Sequence, residues 1–375
     1  MNYLDHGATS FPKPRSVTEA VCRAMETCGN PGRGGYAAAM RAAGVVLKCR
    51  EGAGELFDCE PEQVVCTTSC THGLNMAIRT LVKPGSRVVV SGFEHNAVIR
   101  PLHGLGADIH VAGRKLFDRA DTLADFEAAL RKGMDAAVFT HVSNVFGYIL
   151  PVEEMAALCR KYHVPFVVDC AQSAGILPVR LRSWGADFIA MPGHKGLLGP
   201  MGTGLLLCGR TPKPLLMGGT GSISESRAMP DFLPDIGEAG TLNVPGFAGL
   251  AAGIAYVKKA DPAKILLREQ QQAKRLVNKL KESGIRVFYG ENQCGTVSFV
   301  PNCGCEELAA YLGKQGICVR AGLHCAPLAH ESAGTLKTGT VRVSFGHSSA
   351  PWETGSLLQH MEKFLESGEN KKGEM

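Results

Sequence analysis

Lys195 stands in Pro192-Gly193-His194-Lys195-Gly196, behind the apolar run 188–191 and ahead of Gly199-Pro200-Met201-Gly202-Thr203-Gly204. Burial in such a turn lets the neutral amine form and lets the backbone come close, so the lysine could make a Schiff base with an aldehyde cofactor. A solvated turn lysine has the same local composition, and this motif alone leaves both readings open. In Val167-Val168-Asp169-Cys170-Ala171-Gln172-Ser173 a carboxylate falls at the carboxyl end of an apolar run, where open α/β sheets keep their ligands. In a pyridoxal phosphate site such an aspartate holds the ring nitrogen protonated, and the charged ring stabilises a carbanion at the substrate Cα. A helix cap would look alike. Thr67-Thr68-Ser69-Cys70-Thr71-His72-Gly73 gathers hydroxyls and backbone N–H groups at the start of a helix. That composition suits a phosphate seat, or a plain capping box.

These residues need strands and helices to bring them together. Between residues 64 and 208 short apolar runs (87–91, 107–112, 136–142, 165–170, 187–191 and 203–208) alternate with amphipathic stretches (71–82, 122–132 and 152–162). The alternation predicts buried strands joined by crossover helices, an α/β layer fold with a parallel sheet. Residues 211–246 are rich in Gly, Pro and Ser and too long for a simple turn, which suits a covering or clamping segment. A charged helix over 266–283 then leads into short runs at 286–289, 296–300, 306–315, 317–320 and 341–345, read as a smaller α+β domain. The polar tail from Gly368 is expected to fray.

With 375 residues, the chain has room for one large domain and a smaller one. It is 45% hydrophobic and 20% charged, ordinary globular values. Its net charge of +5 is spread among interleaved acids and bases, which disfavours nucleic acid as a partner. Residues 1–14 show neither a basic nor an apolar leader segment, and no run is apolar enough to span a bilayer, so no membrane is expected and the cytosol is the expected address. The fourteen cysteines lack the spacing of a disulfide scaffold and are expected to be reduced and mostly buried. Cys303-x-Cys305 and Cys66-x-x-x-Cys70 have no second pair at zinc or iron–sulfur spacing, so no metal site is expected.

Taken in this order, the lysine, aspartate and phosphate-seat motifs resemble the class V aminotransferase family. Val319-Arg320-Ala321-Gly322-Leu323-His324-Cys325-Ala326-Pro327 is similar to the short catalytic-cysteine loop of its cysteine desulfurase and selenocysteine lyase branch, the sulfur-mobilisation (SUF-type) group in particular. The resemblance covers nearly the whole chain. It takes in Tyr3-Leu4-Asp5-His6-Gly7-Ala8-Thr9, Asn30-Pro31-Gly32-Arg33-Gly34-Gly35, Glu94-His95-Asn96, Ser143-Asn144-Val145-Phe146-Gly147 and Glu238-Ala239-Gly240-Thr241-Leu242-Asn243. It implies the pyridoxal phosphate-dependent transferase fold of type I. Residues 15–250 would form a large cofactor-binding domain with a mainly parallel, seven-stranded sheet. Residues 1–14 with 251–375 would form a small α+β domain carrying the cysteine loop.

The activity so implied is desulfuration of L-cysteine to L-alanine, with a persulfide left on Cys325 for a sulfur-acceptor protein, as in iron–sulfur cluster assembly. Lys195 would anchor pyridoxal 5'-phosphate and act as general base. Asp169 would pair with the ring nitrogen, Gln172 would neighbour the phenolic oxygen and His95 would stack on the ring. Cys70, Thr71 and His194 would hold the cofactor's phosphate end. Thr241 would reach the phosphate of the other subunit, which implies a homodimer. Asn144, Arg342, Arg320 and Ala8 would lie on the substrate side; by itself Arg342 reads equally as a strand-surface arginine. Two departures stand out: Pro192 replaces a serine that donates to the phosphate in many relatives, and Leu323 replaces a histidine of the loop. Selenocysteine lyase is the nearest alternative. A class V aminotransferase or a β-eliminating lyase is another, although neither needs a reactive cysteine. A cofactor-less sulfur carrier would have no use for Lys195 and Asp169.

Overall fold

The computed structural model describes residues 1–32 and 34–366; Arg33 and the tail from Ser367, with the fraying expected from Gly368, lie outside the described residues. The apolar runs pair into a seven-stranded sheet, in spatial order Val64–Thr67, Gly204–Cys208, Phe188–Pro192, Phe166–Asp169, Ala136–Thr140, Arg87–Ser91 and Asp108–Ala112. Gly204–Cys208 runs antiparallel to both neighbours, and every other pairing is parallel. The mainly parallel α/β sheet expected from the sequence is therefore present. Five of its strands, Val64–Thr67, Ala136–Thr140, Phe166–Asp169, Phe188–Pro192 and Gly204–Cys208, are buried at every residue, as strands covered on both faces must be. Alternate residues feed two cores: Val89, Phe139, Val168 and Leu205 on one face, Val90, Val138, Val167 and Leu206 on the other.

A third core joins Leu4 to residues of Pro262–Glu282, Thr296–Val300, Cys305–Lys314, Thr340–Ser344 and Pro351–Glu366. It packs on an antiparallel sheet ordered Arg320–Gly322, Thr340–Ser344, Thr296–Val300, Arg286–Phe288. The strand expected over 317–320 is split. Ile317–Cys318 pairs in parallel with Asn2–Tyr3, whereas Arg320–Gly322 pairs with Thr340–Ser344, so one short run serves two sheets.

Helices Arg15–Thr27, Ala37–Phe57, Asn96–Gly104, Val244–Ala260 and Pro351–Glu366 have no counterpart in the sequence reading. Three glycines interrupt Ala37–Phe57 and three interrupt Val244–Ala260, each costing about 1 kcal/mol of helix propensity. Packing repays it: a Cβ on Gly249 would sit 2.7 Å from Val21 and from Pro200. Close approach there seats Val244–Ala260 against the segment that follows Lys195.

All fourteen cysteines are free; nine are buried, and only Cys22 and Cys325 are exposed. Among the described residues no helix is long and apolar enough to cross a membrane, and no cluster of three or more His, Cys, Asp or Glu could hold a metal ion.

One carboxylate is buried at a cost. Glu269 is 5% exposed, no side-chain partner holds it among the described residues, and burial pushes its carboxyl up to about 8 from 4.5. An acid whose pKa rises on folding adds stability below its unfolded pKa and loses that contribution as the pH climbs to the folded one, here from about 4.5 to about 8. At about 1.4 kcal/mol per pKa unit the penalty at pH 8 is on the order of 4 kcal/mol. Glu269→Gln should raise Tm by about 5 °C at pH 8 and by about 1 °C at pH 5, followed by circular dichroism. Equal shifts at the two pH values would show that the carboxyl does not titrate there.

Candidate active site

Parallel strands end together, so the carboxyl ends of Ala136–Thr140, Phe166–Asp169 and Phe188–Pro192 open onto one place. The helix starts at Cys70 and Asn96 complete its wall, and the whole encloses a cavity of about 120 Å³. Lys195, Asp169, Gln172, His95, Cys70, Thr71, His194 and Asn144 all line it, together with Pro192. Eight of the residues expected from the sequence are thus brought together.

Asp169 is 3% exposed. Its Oδ1 accepts from Ala171 N–H at 2.8 Å and from the Cys70 thiol at 3.4 Å, and its Oδ2 has no partner among the described residues. Burial keeps the Cys70 thiol well above its usual range, so it remains a donor. The Lys195 amine makes no hydrogen bond among the described residues; burial lowers its pKa, with Asp169 opposing. His95 caps helix Asn96–Gly104, its Nδ1 accepting from Ala97 N–H at 3.0 Å, which leaves the proton on Nε2. Burial, above all, keeps that ring neutral. Immediately before it, buried Glu94 accepts from Thr140 N–H at 2.8 Å and ties the His95 turn to the neighbouring strand. Ser69 accepts from His72 N–H and starts helix Cys70–Leu81 one residue earlier than expected. The first N–H groups of that helix have no acceptor within it, as at any helix start.

Residues 7–13 clasp the lysine turn. Gln172 donates to Gly7 O at 3.0 Å, and His194 O accepts from Ser10 N–H at 3.0 Å and from Lys13 Nζ at 2.7 Å. His194 Nδ1 lies 3.1 Å from Thr9 Oγ1, and burial, with Lys195 and Lys13 nearby, lowers the ring to about 4.

The two arginines expected on the substrate side are held by one acid. Arg342, 2% exposed, donates Nη2 to Asp5 Oδ1 at 2.6 Å and Nη1 to Asn144 O at 3.0 Å; its Nε is buried without a partner. Arg320 Nε donates to Asp5 Oδ2 at 3.2 Å. Neither guanidinium lines the 120 Å³ cavity, and neither does Ala8, whose N–H bonds Asp5 O at 3.0 Å. Thr241 is not brought there within this chain: it lines a separate cleft with Arg50, Glu238 and residues 30–32.

Cys325 is exposed, and both it and His324 have left-handed backbones, at φ +56° and +49°. Asn96 N–H holds Cys325 O at 2.8 Å, and Asn144 Nδ2 holds His324 O at 2.8 Å. The loop is therefore fastened to the residue after His95 and to a residue of the cavity wall. His324 turns inward, with Nε2 3.2 Å from Thr340 Oγ1, and burial lowers it to about 2. With Leu323 in the neighbouring place, the described loop residues carry no imidazole that titrates near neutrality.

Asp5 and Asn96 escaped the sequence reading as functional residues. Asp5 sits in a motif block that had been noticed only for its resemblance. Asn96 acts through its backbone, which no side-chain pattern announces.

The class V aminotransferase family model matches residues 2–353. Two curated relatives named "Probable cysteine desulfurase" align along nearly their whole length. The one from Methanothermobacter thermautotrophicus is 31% identical over 98% of this chain and 95% of its own. The one from Pyrococcus abyssi is 33% identical over 97% and 94%. The solved apo structure of a cysteine desulfurase from Thermococcus onnurineus superposes with a TM-score of 0.89 at 30% identity, covering 97% of this chain and 94% of that one. A lysine, an aspartate and a helix start converging on one cavity thus accompany a match along almost the entire sequence, and the chain belongs to the class V aminotransferase family.

Proposed function

We propose that this protein is a pyridoxal phosphate-dependent cysteine desulfurase that converts L-cysteine to L-alanine and leaves the sulfur as a persulfide on Cys325. One observation carries the reading: the Cys325 loop is fastened to Asn144, which lines the cavity that Lys195 and Asp169 share. The family relatives named as desulfurases support it.

The residues present fit the cofactor. Oδ2 of a 3%-exposed carboxylate stands without a partner, as a ring nitrogen would require, and an amine depressed by burial faces the same space. Lys195 would hold the aldehyde carbon, Asp169 the ring nitrogen, His95 the ring face, and Thr71 with the N-terminus of Cys70–Leu81 the phosphate. Pro192 offers the phosphate no donor. The bound cofactor supplies an electron sink for the substrate Cα.

The chain's own groups do the rest. Lys195 Nζ takes the proton from the substrate Cα, a task suited to an amine whose pKa burial has lowered. His95 stays neutral and offers its Nε2 proton as a hydrogen-bond donor. Arg320, half exposed and only singly bonded to Asp5, is the guanidinium free to meet the substrate carboxylate; Arg342 orients Asp5 and Asn144 from behind. The Cys325 thiolate attacks the substrate sulfur, the Cβ–S bond breaks with its electron pair left on Cβ, and protons returned to Cβ and Cα release the amino-acid remainder as alanine. The persulfide sits on an exposed residue, where an acceptor protein can collect it. The enzyme works as a homodimer in which Thr241 of each subunit reaches the phosphate in the other.

Cys325→Ala should lose alanine production from L-cysteine at least a hundredfold while keeping the cofactor's visible absorbance; turnover at the parental rate would remove Cys325 from the reaction. Assaying L-selenocysteine beside L-cysteine with the same variant separates the lyase alternative, in which turnover survives. Lys195→Ala should yield a protein that borohydride no longer labels covalently with the cofactor, read by intact mass. A labelled variant would mean that another amine is the anchor.

A further inference from the structure

Asn144 is 9% exposed and uses its side chain in a one-sided way. Nδ2 donates to His324 O at 2.8 Å, whereas Oδ1 is buried with no partner. The same side chain lines the 120 Å³ cavity, and its backbone carbonyl accepts from Arg342 Nη1 at 3.0 Å. What it grips is backbone held in a strained conformation. His324 and Cys325 are consecutive non-glycine residues with positive φ, a conformation that persists only where surrounding bonds over-determine it. Those bonds are few: Asn96 N–H to Cys325 O at 2.8 Å, Ala326 N–H to Leu323 O at 2.9 Å, the His324 ring to Thr340 at 3.2 Å, and the Asn144 amide. Among the described residues, the Asn144 amide is the one side-chain group that bonds the backbone of the pair.

We propose that Asn144 is a positioning residue for the nucleophile: its amide, by holding the His324 carbonyl, keeps the His324-Cys325 pair left-handed and fixes where the Cys325 thiol points. Asn96 holds the next carbonyl through its backbone, which every substitution but proline leaves in place, so Asn144 is the side chain whose grip on the pair's backbone a mutation can remove. This deepens the desulfurase reading and rests on it for its consequence in turnover. The placement itself can be measured without any turnover.

The measurement is the alkylation rate of Cys325 by iodoacetamide on the full chain stripped of cofactor, read peptide by peptide in a mass spectrometer, with exposed Cys22 as the internal standard. Asn144→Ala should speed alkylation of Cys325 about fivefold or more and leave Cys22 unchanged. Asn144→Asp keeps the size and removes the donor, so it should do the same even if the alanine variant folds poorly. In the cofactor-loaded enzyme both variants should lower kcat along with kcat/KM, because the sulfur-transfer step loses its aim; a side chain that merely gripped substrate would raise KM alone. Parental Cys325 alkylation in a folded Asn144→Asp protein overturns the proposal. That result would leave the desulfurase reading intact, whereas the Cys325→Ala assay can fail without touching this one.

Discussion

Folding has to bury an amine and a carboxylate here without letting them neutralise each other. Lys195 and Asp169 line the same small cavity, and the lysine responds to the aspartate beside it, yet they make no hydrogen bond. Unpaired ionisable groups in an apolar interior are expensive, and a direct ion pair would relieve both. The surrounding structure withholds that relief. Cys70 and Ala171 occupy one oxygen of Asp169, and the turn built from Gly193 and the residues after Lys195 fixes the amine elsewhere on the wall. The fully buried strands on either side have enough apolar surface to support such a site.

A second constraint joins the small sheet to the large one. Asp5 takes Arg342 on one oxygen and Arg320 on the other, and Arg342 passes the link to the Asn144 carbonyl. The pairing to the deeply buried Arg342 is the one with energetic weight, since removal of either partner would strand a charge. Arg320 is half exposed and contributes little to stability, which suits a group that must exchange partners.

The sheet was legible because buried parallel strands are continuous apolar runs, and six of those runs fell within a residue or two of the real strands. Lys195, Asp169 and the Thr67–Gly73 segment were legible because each sits where such a strand ends. Helices rich in glycine and alanine were not legible, since their stability comes from close contact with partners distant in sequence, as Gly249 shows. Arg342 looked like a substrate anchor by type and context. Its engagement with Asp5, more than three hundred residues away, is a property of the tertiary fold alone. The left-handed pair at His324 and Cys325 was equally hidden, because two consecutive non-glycine residues rarely adopt that conformation.

The threading of residues 2–13 also matters for handling the molecule. Asn2 and Leu4 are stitched to residues 316–318, Asp5 holds the two arginines, and Ser10 and Lys13 fasten the turn that carries the reactive amine. A dozen amino acids thus run like a drawstring past both sheets. Proteolytic nicking or a bulky fusion at that edge would slacken the catalytic machinery while leaving the two cores of the large sheet whole, so preparations that look folded by spectroscopy could still be inert.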